Sequence, residues 1–196
     1  MMVFLKSIEK WGRKRASAVI PCAAADGDGR LSLKPSRILV IRTDNRLGNL
    51  VLMEPLLRSL KIRFPDAELD ILASDVFSEL LECQGYNVIH ADKKGQIRNP
   101  VKFWSLIQKL RSRSYDVAID AAHPHSFSLS GAVSTALSGA DCRVSTDAGD
   151  SAGWYTDTVA EPPMHWHESR ALYSLGSVWD SWPEWSPPEL HAVNAV

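Results

Sequence analysis

The chain lacks several features that would place it in a familiar class of protein. Only three of its 196 residues are cysteines, and Cys22, Cys83 and Cys142 lie far apart with no CxxC pair. This pattern argues against both a disulfide framework and a zinc site. No apolar run reaches the roughly 18 to 20 residues that a membrane-spanning helix needs. The cysteine usage fits a reducing compartment, so we expect a cytoplasmic protein.

The chain also has almost no excess charge. Its formal net charge is −1, and no basic stripe with interleaved aromatic residues occurs in its body. We therefore expect no nucleic-acid partner. Neither a GxGxxG motif after the first apolar segment nor a Walker lysine is present, which argues against a flavodoxin-like nucleotide-binding protein. Hydrophobic residues make up 45% of the chain, which is ample for a folded core.

Residues 1–36 have the composition of a basic amphipathic leader followed by a linker. From residue 1 to residue 20 the chain has five basic residues and one acidic residue. Three apolar side chains fall on one helical face of this segment: Phe4, Ile8 and Trp11. This pattern is typical of a helix that lies on anionic lipid, and it predicts a peripheral membrane contact through residues 1–20. A solvated leader fits the same pattern equally well.

From residue 37 onward, two kinds of apolar segment alternate along the chain. Short β-branched segments predict strands at 37–41, 68–73, 87–91, 117–120 and 142–145. Apolar residues at helical spacing predict helices at 50–60, 76–84, 126–137 and 167–179, and another from residue 100 to near 111. The alternation predicts an α/β fold, a Rossmann-like parallel sheet with helices on both faces.

The end of this domain is predicted near residue 181. Residues 149–166 are crowded with Gly, Trp, Pro and His, which indicates a surface excursion. Residues 182–196 contain three prolines and little apolar periodicity, and we expect a truncated interdomain linker there. The predicted organisation is therefore a leader and linker at 1–36, a domain at 37–181 and a linker at 182–196.

The segment Arg37–Phe64 carries the clearest functional signal. An apolar strand runs into a polar turn that contains Gly48, and an amphipathic helix follows. Parallel α/β proteins bind ligands at such junctions, at the carboxyl ends of the strands. A glycine lets the backbone approach a ligand closely, and the free N–H groups of the next helix favour an anion. On spacing alone, an ordinary βα turn remains the alternative.

The order and spacing of four segments resemble the N-terminal half of glycosyltransferase family 9, the ADP-heptose lipopolysaccharide heptosyltransferases. The matching segments are ILVIRTDNRLGNLVLMEPLLRSLKIRFPDAELDIL at Ile38–Leu72, YDVAID at Tyr115–Asp120, LSGADCRV at Leu137–Val144 and HESR at His167–Arg170. The resemblance implies the N-terminal, acceptor-side half of a two-domain GT-B enzyme. It also implies a nucleotide sugar as donor, a lipopolysaccharide-core acceptor and work at the cytoplasmic face of the inner membrane.

The resemblance assigns the chemistry to the turn after the first strand. The family has a Gly-Asp there whose carboxylate acts as the base, and this chain has Gly48-Asn49. An amide cannot take up a proton as a carboxylate does, so Asp44 is the nearest alternative base and Asn49 would orient the acceptor hydroxyl. Asp44 as a turn or cap residue is the competing interpretation. We expect further residues of the same region to bind the acceptor: Arg42, Thr43, Arg46, Gly48, His123 and His125.

Two functions remain open at this point. One is an inverting heptosyltransferase that is incomplete without a donor-binding domain, because no second series of strands and helices follows residue 179. The other is a non-catalytic module that binds the acceptor or docks on a partner transferase. We expect no cofactor and no metal. A separate donor-domain chain would complete the first function, and an exposed sheet flank left by a missing domain would favour self-association.

Overall fold

The computed structural model describes residues 34–44, 46–74, 78–92, 99–148 and 153–189. The predicted membrane contact of residues 1–20 lies outside the described residues, as does nearly all of the linker that follows it. Within these described ranges, no helix is both long and apolar enough to cross a membrane.

Strands and helices alternate along the described chain. The strands are β1 (Arg37–Arg42), β2 (Glu68–Ser74), β3 (Asn87–Ala91), β4 (Val117–Asp120), β5 (Cys142–Thr146) and β6 (Asp157–Val159). The α-helices are α1 (Leu47–Leu52), α2 (Glu54–Arg63), α3 (Ser78–Cys83), α4 (Pro100–Ser112), α5 (Leu129–Leu137) and α6 (Glu168–Tyr173). A 3₁₀ helix, Ser174–Val178, continues directly from α6.

The strands form one parallel sheet in the order β3-β2-β1-β4-β5-β6. The central strand β1 pairs Ile38 with Leu69 of β2 on one side and with Val117 of β4 on the other. The chain therefore winds outward in one direction from β1 to β3 and returns to start the other direction at β4. This reversal leaves a crevice at the carboxyl ends of β1 and β4, where open α/β sheets bind ligands.

Successive side chains of β1 point to opposite faces of the sheet, and both faces are covered. Ile38 and Val40 belong to a core that includes Leu56 of α2 and Leu172 of α6. Leu39 and Ile41 belong to a second core that includes Leu110 of α4. The predicted parallel sheet with helices on both faces is thus confirmed. Burial on both faces also explains why the strands read as continuous apolar runs.

Three local features differ from the sequence-based expectations. The strand β6 lies within the stretch predicted as a surface excursion, and its three residues are too few to show a period of two. The first predicted helix is divided at Met53, because Pro55 has no N–H to donate to the preceding turn. The last predicted helix is α-helical only to Tyr173 and then tightens into the 3₁₀ helix.

Residues 182–189, predicted to be part of a linker, pack back onto α2 and α6. The Trp182 ring stacks on Trp179 with centroids 5.8 Å apart. Arg58 forms an ion pair with Glu189 at 3.0 Å, and the Glu189 backbone N–H donates to Glu54 Oε2 at 3.0 Å. The described part of this segment therefore contacts the helices of the domain, and the predicted boundary near residue 181 stays a prediction.

The packing of Trp182 on Gly176 generates a testable prediction. A Cβ atom at position 176 would lie 2.0 Å from Trp182 Cε2, so the ring must move. We expect Gly176→Ala to lower the free energy of unfolding by about 1 to 3 kcal/mol in urea denaturation. In a Trp182→Ala background the same change should lower it by less than about 0.5 kcal/mol, because the obstacle is gone. Equal losses in both backgrounds would contradict the contact.

Candidate functional site

A cleft of about 940 Å³ opens at the carboxyl ends of β1 and β4. Its walls come from the turn after β1, the loop after β4, and the helices α4 and α5. The position coincides with the crevice that the strand order creates. Six of the predicted site residues line this cleft. Five come from the turn after β1 and the start of α1: Arg42, Thr43, Asp44, Arg46 and Asn49. The sixth, His123, comes from the loop after β4.

Arg42 is the last residue of β1, and its side chain is 1% exposed. Its guanidinium donates to three protein oxygens: Asp44 Oδ2 at 2.7 Å, Ala121 O at 2.6 Å and Glu168 Oε1 at 2.8 Å. A buried charge needs such partners, because desolvation would otherwise cost several kcal/mol. These contacts join the ends of β1 and β4 to the first residue of α6. The role of Arg42 as an acceptor ligand stays a prediction, and the hydrogen bonds described for its guanidinium all go to protein oxygens.

Asp44 lies two residues beyond Arg42, at the rim of the cleft. Its side chain is 35% exposed, and one carboxylate oxygen holds the Arg42 Nε–H. The other oxygen, Oδ1, accepts from the Arg46 backbone N–H at 3.3 Å. The residue thus makes the turn contacts of the competing interpretation and still borders the cleft with an ionisable group.

Asn49 lies in the first turn of α1 and faces the same cleft. Gly48 precedes it, within the helix rather than in the turn. A Cβ atom built at Gly48 meets no atom within 4 Å, so the chain itself does not require glycine there. This open space is what a close approach of a ligand would use, although Gly48 is outside the residues that line the cleft.

The two histidines of the β4–α5 loop have different surroundings. His123 lines the cleft, whereas His125 Nδ1 lies 2.9 Å from Glu161 Oε1, away from the cleft lining. The two rings are 5.7 Å apart. The sequence placed both in one loop, but the structure places only His123 in the cleft wall.

Asp120, the last residue of β4, is a site residue that the sequence reasoning did not select. It is 3% exposed and lines the cleft floor. Its Oδ2 accepts from the Tyr155 hydroxyl at 2.6 Å, and its Oδ1 accepts from the Ala122 backbone N–H at 3.1 Å. Burial first, and then the nearby Asp120 charge, raise the pKa of Tyr155 well above its usual range. The available sequence signal was a carboxylate at the end of a buried strand, four residues after Asp116.

Gly131, in the first turn of α5, makes room for this carboxylate. A Cβ atom at Gly131 would lie 2.2 Å from Asp120 Oδ2. Ser128 caps the same helix by accepting from the Gly131 backbone N–H at 3.2 Å. The close approach of α5 to β4 therefore depends on glycine at this position.

One wall of the cleft is apolar. Phe103 and Leu106 come from α4, and Phe127, Leu129 and Val133 come from the α5 side. The first turns of α4 also carry Val101 and Trp104, which are 75% and 57% exposed. The cleft thus combines a polar, ionisable rim with an apolar wall that continues onto the surface. Among the described residues, no group of three or more His, Cys, Asp or Glu side chains could hold a metal ion.

Neither protein-family models nor the sequences of curated proteins match the chain. Among solved structures, the E. coli heptosyltransferase WaaC with ADP superimposes with a TM-score of 0.62 and 14% identity, over 75% of this chain and 48% of that one. A glycosyl transferase family 9 protein from Veillonella parvula gives 0.67 and 15%, over 82% and 46%. The E. coli ADP-heptose lps heptosyltransferase II gives 0.59 and 21%, over 81% and 47%.

These likenesses show the fold of the chain. It is a single parallel sheet with helices that corresponds to part of a GT-B glycosyltransferase, so the resemblance inferred from the sequence is confirmed at the level of fold. The chain spans less than half the length of each of these solved structures. At identities of 14% to 21% the likeness carries no assignment of activity.

Gly131, which lines the cleft, and Gly48, which lies beside it, generate a matched pair of predictions. We expect Gly131→Ala to lower the free energy of unfolding by about 1 to 3 kcal/mol, because its methyl group would collide with the Asp120 carboxylate. We expect Gly48→Ala to leave it unchanged or to raise it by up to about 1 kcal/mol, because the helix gains a better helix former in open space. Urea denaturation of both variants measures the difference. Equal effects would contradict the packing of α5 on Asp120.

The raised pKa of Tyr155 predicts a loss of stability in alkali. The unfolded tyrosine ionises near pH 10, while the folded one stays protonated at higher pH. The contribution of Tyr155 to the free energy of unfolding is therefore complete below about pH 10 and is lost as the pH rises beyond that value. We expect the free energy of unfolding to fall less steeply between about pH 10 and 11 in Tyr155→Phe than in wild type, by up to about 1.4 kcal/mol per unit.

The same comparison contains its own control. Tyr115 donates to Asp70 Oδ2 at 2.6 Å, and burial, followed by this hydrogen bond and charge, also raises its pKa. Ionisation of Tyr115 affects the free energy of unfolding of wild type and of Tyr155→Phe alike, so it cancels when the two slopes are subtracted. Identical slopes in wild type and Tyr155→Phe would contradict the predicted ionisation behaviour of Tyr155.

Proposed function

We propose that this chain is the acceptor-side half of a glycosyltransferase of the heptosyltransferase type. The proposed reaction transfers a sugar from a nucleotide sugar, ADP-heptose, to a lipopolysaccharide-core acceptor. One observation carries the proposal: in a fold shared with heptosyltransferases, the cleft at the β1/β4 crevice is bordered by the turn that holds Asp44 and Asn49. Ligand binding at this point of an open α/β sheet is the general rule.

The proposed mechanism is an inverting direct displacement. An acceptor hydroxyl attacks the anomeric carbon of the sugar, and the bond from that carbon to the diphosphate oxygen breaks, so that ADP leaves with the electron pair. Asp44 takes up the hydroxyl proton, and Asn49 orients the hydroxyl through its side-chain amide. Both side chains border the cleft, and Asp44 is exposed enough to meet a ligand.

The acceptor-binding residues are proposed on the same basis. Thr43, Arg46 and His123 line the cleft and can bind hydroxyl, phosphate or carboxylate groups of a saccharide. Arg42 would act on an acceptor through the rim that it stabilises, because its described donors already bind protein oxygens. Gly48 would permit close approach, and His125 would act from behind His123.

The donor must be held by groups beyond this half of the fold. The chain spans under half of the matched heptosyltransferases, and we propose that a donor-binding domain, in the same protein or on a separate chain, completes the site. Stabilisation of the leaving diphosphate and correct placement of the two substrates each contribute several kcal/mol to such a transfer. The exposed apolar turns of α4 beside the cleft supply a surface for that partner or for self-association.

The proposed setting is the cytoplasmic face of the inner membrane, with peripheral contact through residues 1–20. This part of the proposal rests on the basic amphipathic sequence alone.

A second candidate function is a non-catalytic module that binds the acceptor or a partner transferase. Asn49 favours it, because the position that carries the base in the resembled family here holds an amide. The ion pair between Asp44 and the buried Arg42 favours it as well, because one oxygen of this carboxylate is already occupied by the protein.

A transfer and binding assay separates the two functions. The 196-residue chain is tested with ADP-heptose and deacylated lipopolysaccharide core, and products are followed by mass spectrometry. We expect wild type to bind the core and to transfer slowly, Asp44→Ala to lose transfer by at least about 10-fold, and Asn49→Asp to gain at least about 10-fold by restoring a carboxylate.

The matched control is Asp66→Ala, an exposed carboxylate in the turn before β2, at the amino end of that strand, whereas the cleft lies at the carboxyl ends of the strands. Binding without transfer in wild type and in Asn49→Asp, also after a separately expressed heptosyltransferase donor domain is added, would favour the non-catalytic module. Transfer that Asp44→Ala leaves unchanged would contradict the assignment of the base.

A further inference from the structure

Glu168 is the first residue of α6 and contacts Arg42 of the candidate site, although it does not itself line the cleft. It follows β1 by more than a hundred residues in sequence, and its Oε1 accepts from Arg42 Nη2 at 2.8 Å. Its side chain is 23% exposed, whereas that of Arg42 is 1% exposed. The hydrogen bond therefore lies largely out of water, and loss of Glu168 would leave the buried charge of Arg42 without one of its partners.

The start of α6 is itself held in place. His167 caps the helix through Nδ1, which lies 2.7 Å from Ser169 Oγ and 3.4 Å from the Ser169 backbone nitrogen. Ser169 is fully buried, and so is Leu172, which belongs to the core beneath β1. The backbone that carries Glu168 is thus held in place by packing and by the helix cap, which limits the positions that its carboxylate can take.

The guanidinium of Arg42 connects Glu168 to the two segments that border the cleft, the turn after β1 and the loop after β4. Its Nε–H holds Asp44 in the turn after β1, and its Nη1 holds the carbonyl of Ala121, the first residue after β4. A second hydrogen bond, from the Ala121 backbone N–H to Ile41 O at 3.0 Å, joins the same two turns. Because a guanidinium is planar and rigid, fixing one of its nitrogens restricts the other two.

We infer that Glu168 is a positioning residue of the candidate site: through Arg42 it holds the Asp44 carboxylate and the loop that carries His123 in the arrangement that faces the cleft. Glu168 does not line the cleft and has no proposed contact with a ligand. The expected effect of Glu168 on acceptor binding rests on the proposed function. Its expected effect on Arg42 rests on the described contacts alone.

The first test measures Arg42 directly and needs no ligand. The Arg42 Nε–H is buried and hydrogen-bonded, so its proton should exchange slowly with water in ¹H–¹⁵N NMR spectra. We expect Glu168→Ala to accelerate this exchange by at least about 10-fold, and Glu168→Gln to change it by less than about 3-fold, because an amide oxygen still accepts the Nη2 hydrogen. Backbone N–H exchange in β2 and β3 should be unchanged in both variants. Unchanged Arg42 exchange in Glu168→Ala would overturn the inference.

The second test measures binding of deacylated lipopolysaccharide core by titration calorimetry. We expect Glu168→Ala to raise the Kd by at least about 10-fold and Glu168→Gln to raise it by less than about 3-fold. The matched control is Glu79→Ala, an exposed glutamate in the first turn of α3, which should leave the Kd unchanged. Equal weakening by Glu168→Ala and Glu79→Ala would overturn the positioning role.

The two tests fail separately. If wild type does not bind the core, the proposed function is contradicted, while the exchange of Arg42 still decides whether Glu168 positions the guanidinium. If wild type binds and only the exchange result is negative, the proposed function stands and the role of Glu168 is wrong.

Discussion

The buried guanidinium of Arg42 is the constraint on which the candidate site depends. Its charge lies at the one place in the sheet where the winding direction reverses, and its side chain is 1% exposed. Two carboxylates and a backbone carbonyl offset the desolvation. These partners come from three separate parts of the chain: the turn after β1, the end of β4 and the start of α6. The relative positions of these three segments at the cleft are therefore linked by the hydrogen bonds that the buried guanidinium requires.

The cleft combines acidic and apolar surfaces in a way that bears on its chemistry. Asp44 at the rim and Asp120 on the floor are both engaged by the protein, one by Arg42 and the other by Tyr155. Asn49, which faces the same space, is neutral. The cleft thus places polar groups opposite an apolar wall, while both of its carboxylates already accept hydrogen bonds from the protein. This arrangement suits the acceptor half of a transferase and equally explains why a binding module is the second candidate.

Much of the fold could be predicted from the sequence, because strands buried on both faces and helices with one apolar face leave strong local patterns. β1, β2 and β4 are examples. The division of the first helix at Met53 could be read from the sequence, because Pro55 follows it. No sequence pattern indicated β6, because its three residues form a strand through pairing with β5. Within the site, the resemblance to family 9 pointed to Asn49, and the position close after a strand end pointed to Asp44 and His123. Asp120 was missed because its role depends on Gly131 and Tyr155, which lie 11 and 35 residues further along.

The sequence by itself determined the alternation of helices with the strands β1 to β5, the position of the polar turn after β1 and the presence of an amide where the resembled family has a carboxylate. These properties are local, since they depend on residue type and on spacing within about 20 residues. Only the tertiary structure decided which polar groups face the cleft and which face inward. Arg42 is directed inward because Glu168, 126 residues away in sequence, supplies one of the charges that a buried guanidinium requires. No local pattern contains that information, because such a contact exists only once the sheet has brought the two segments together.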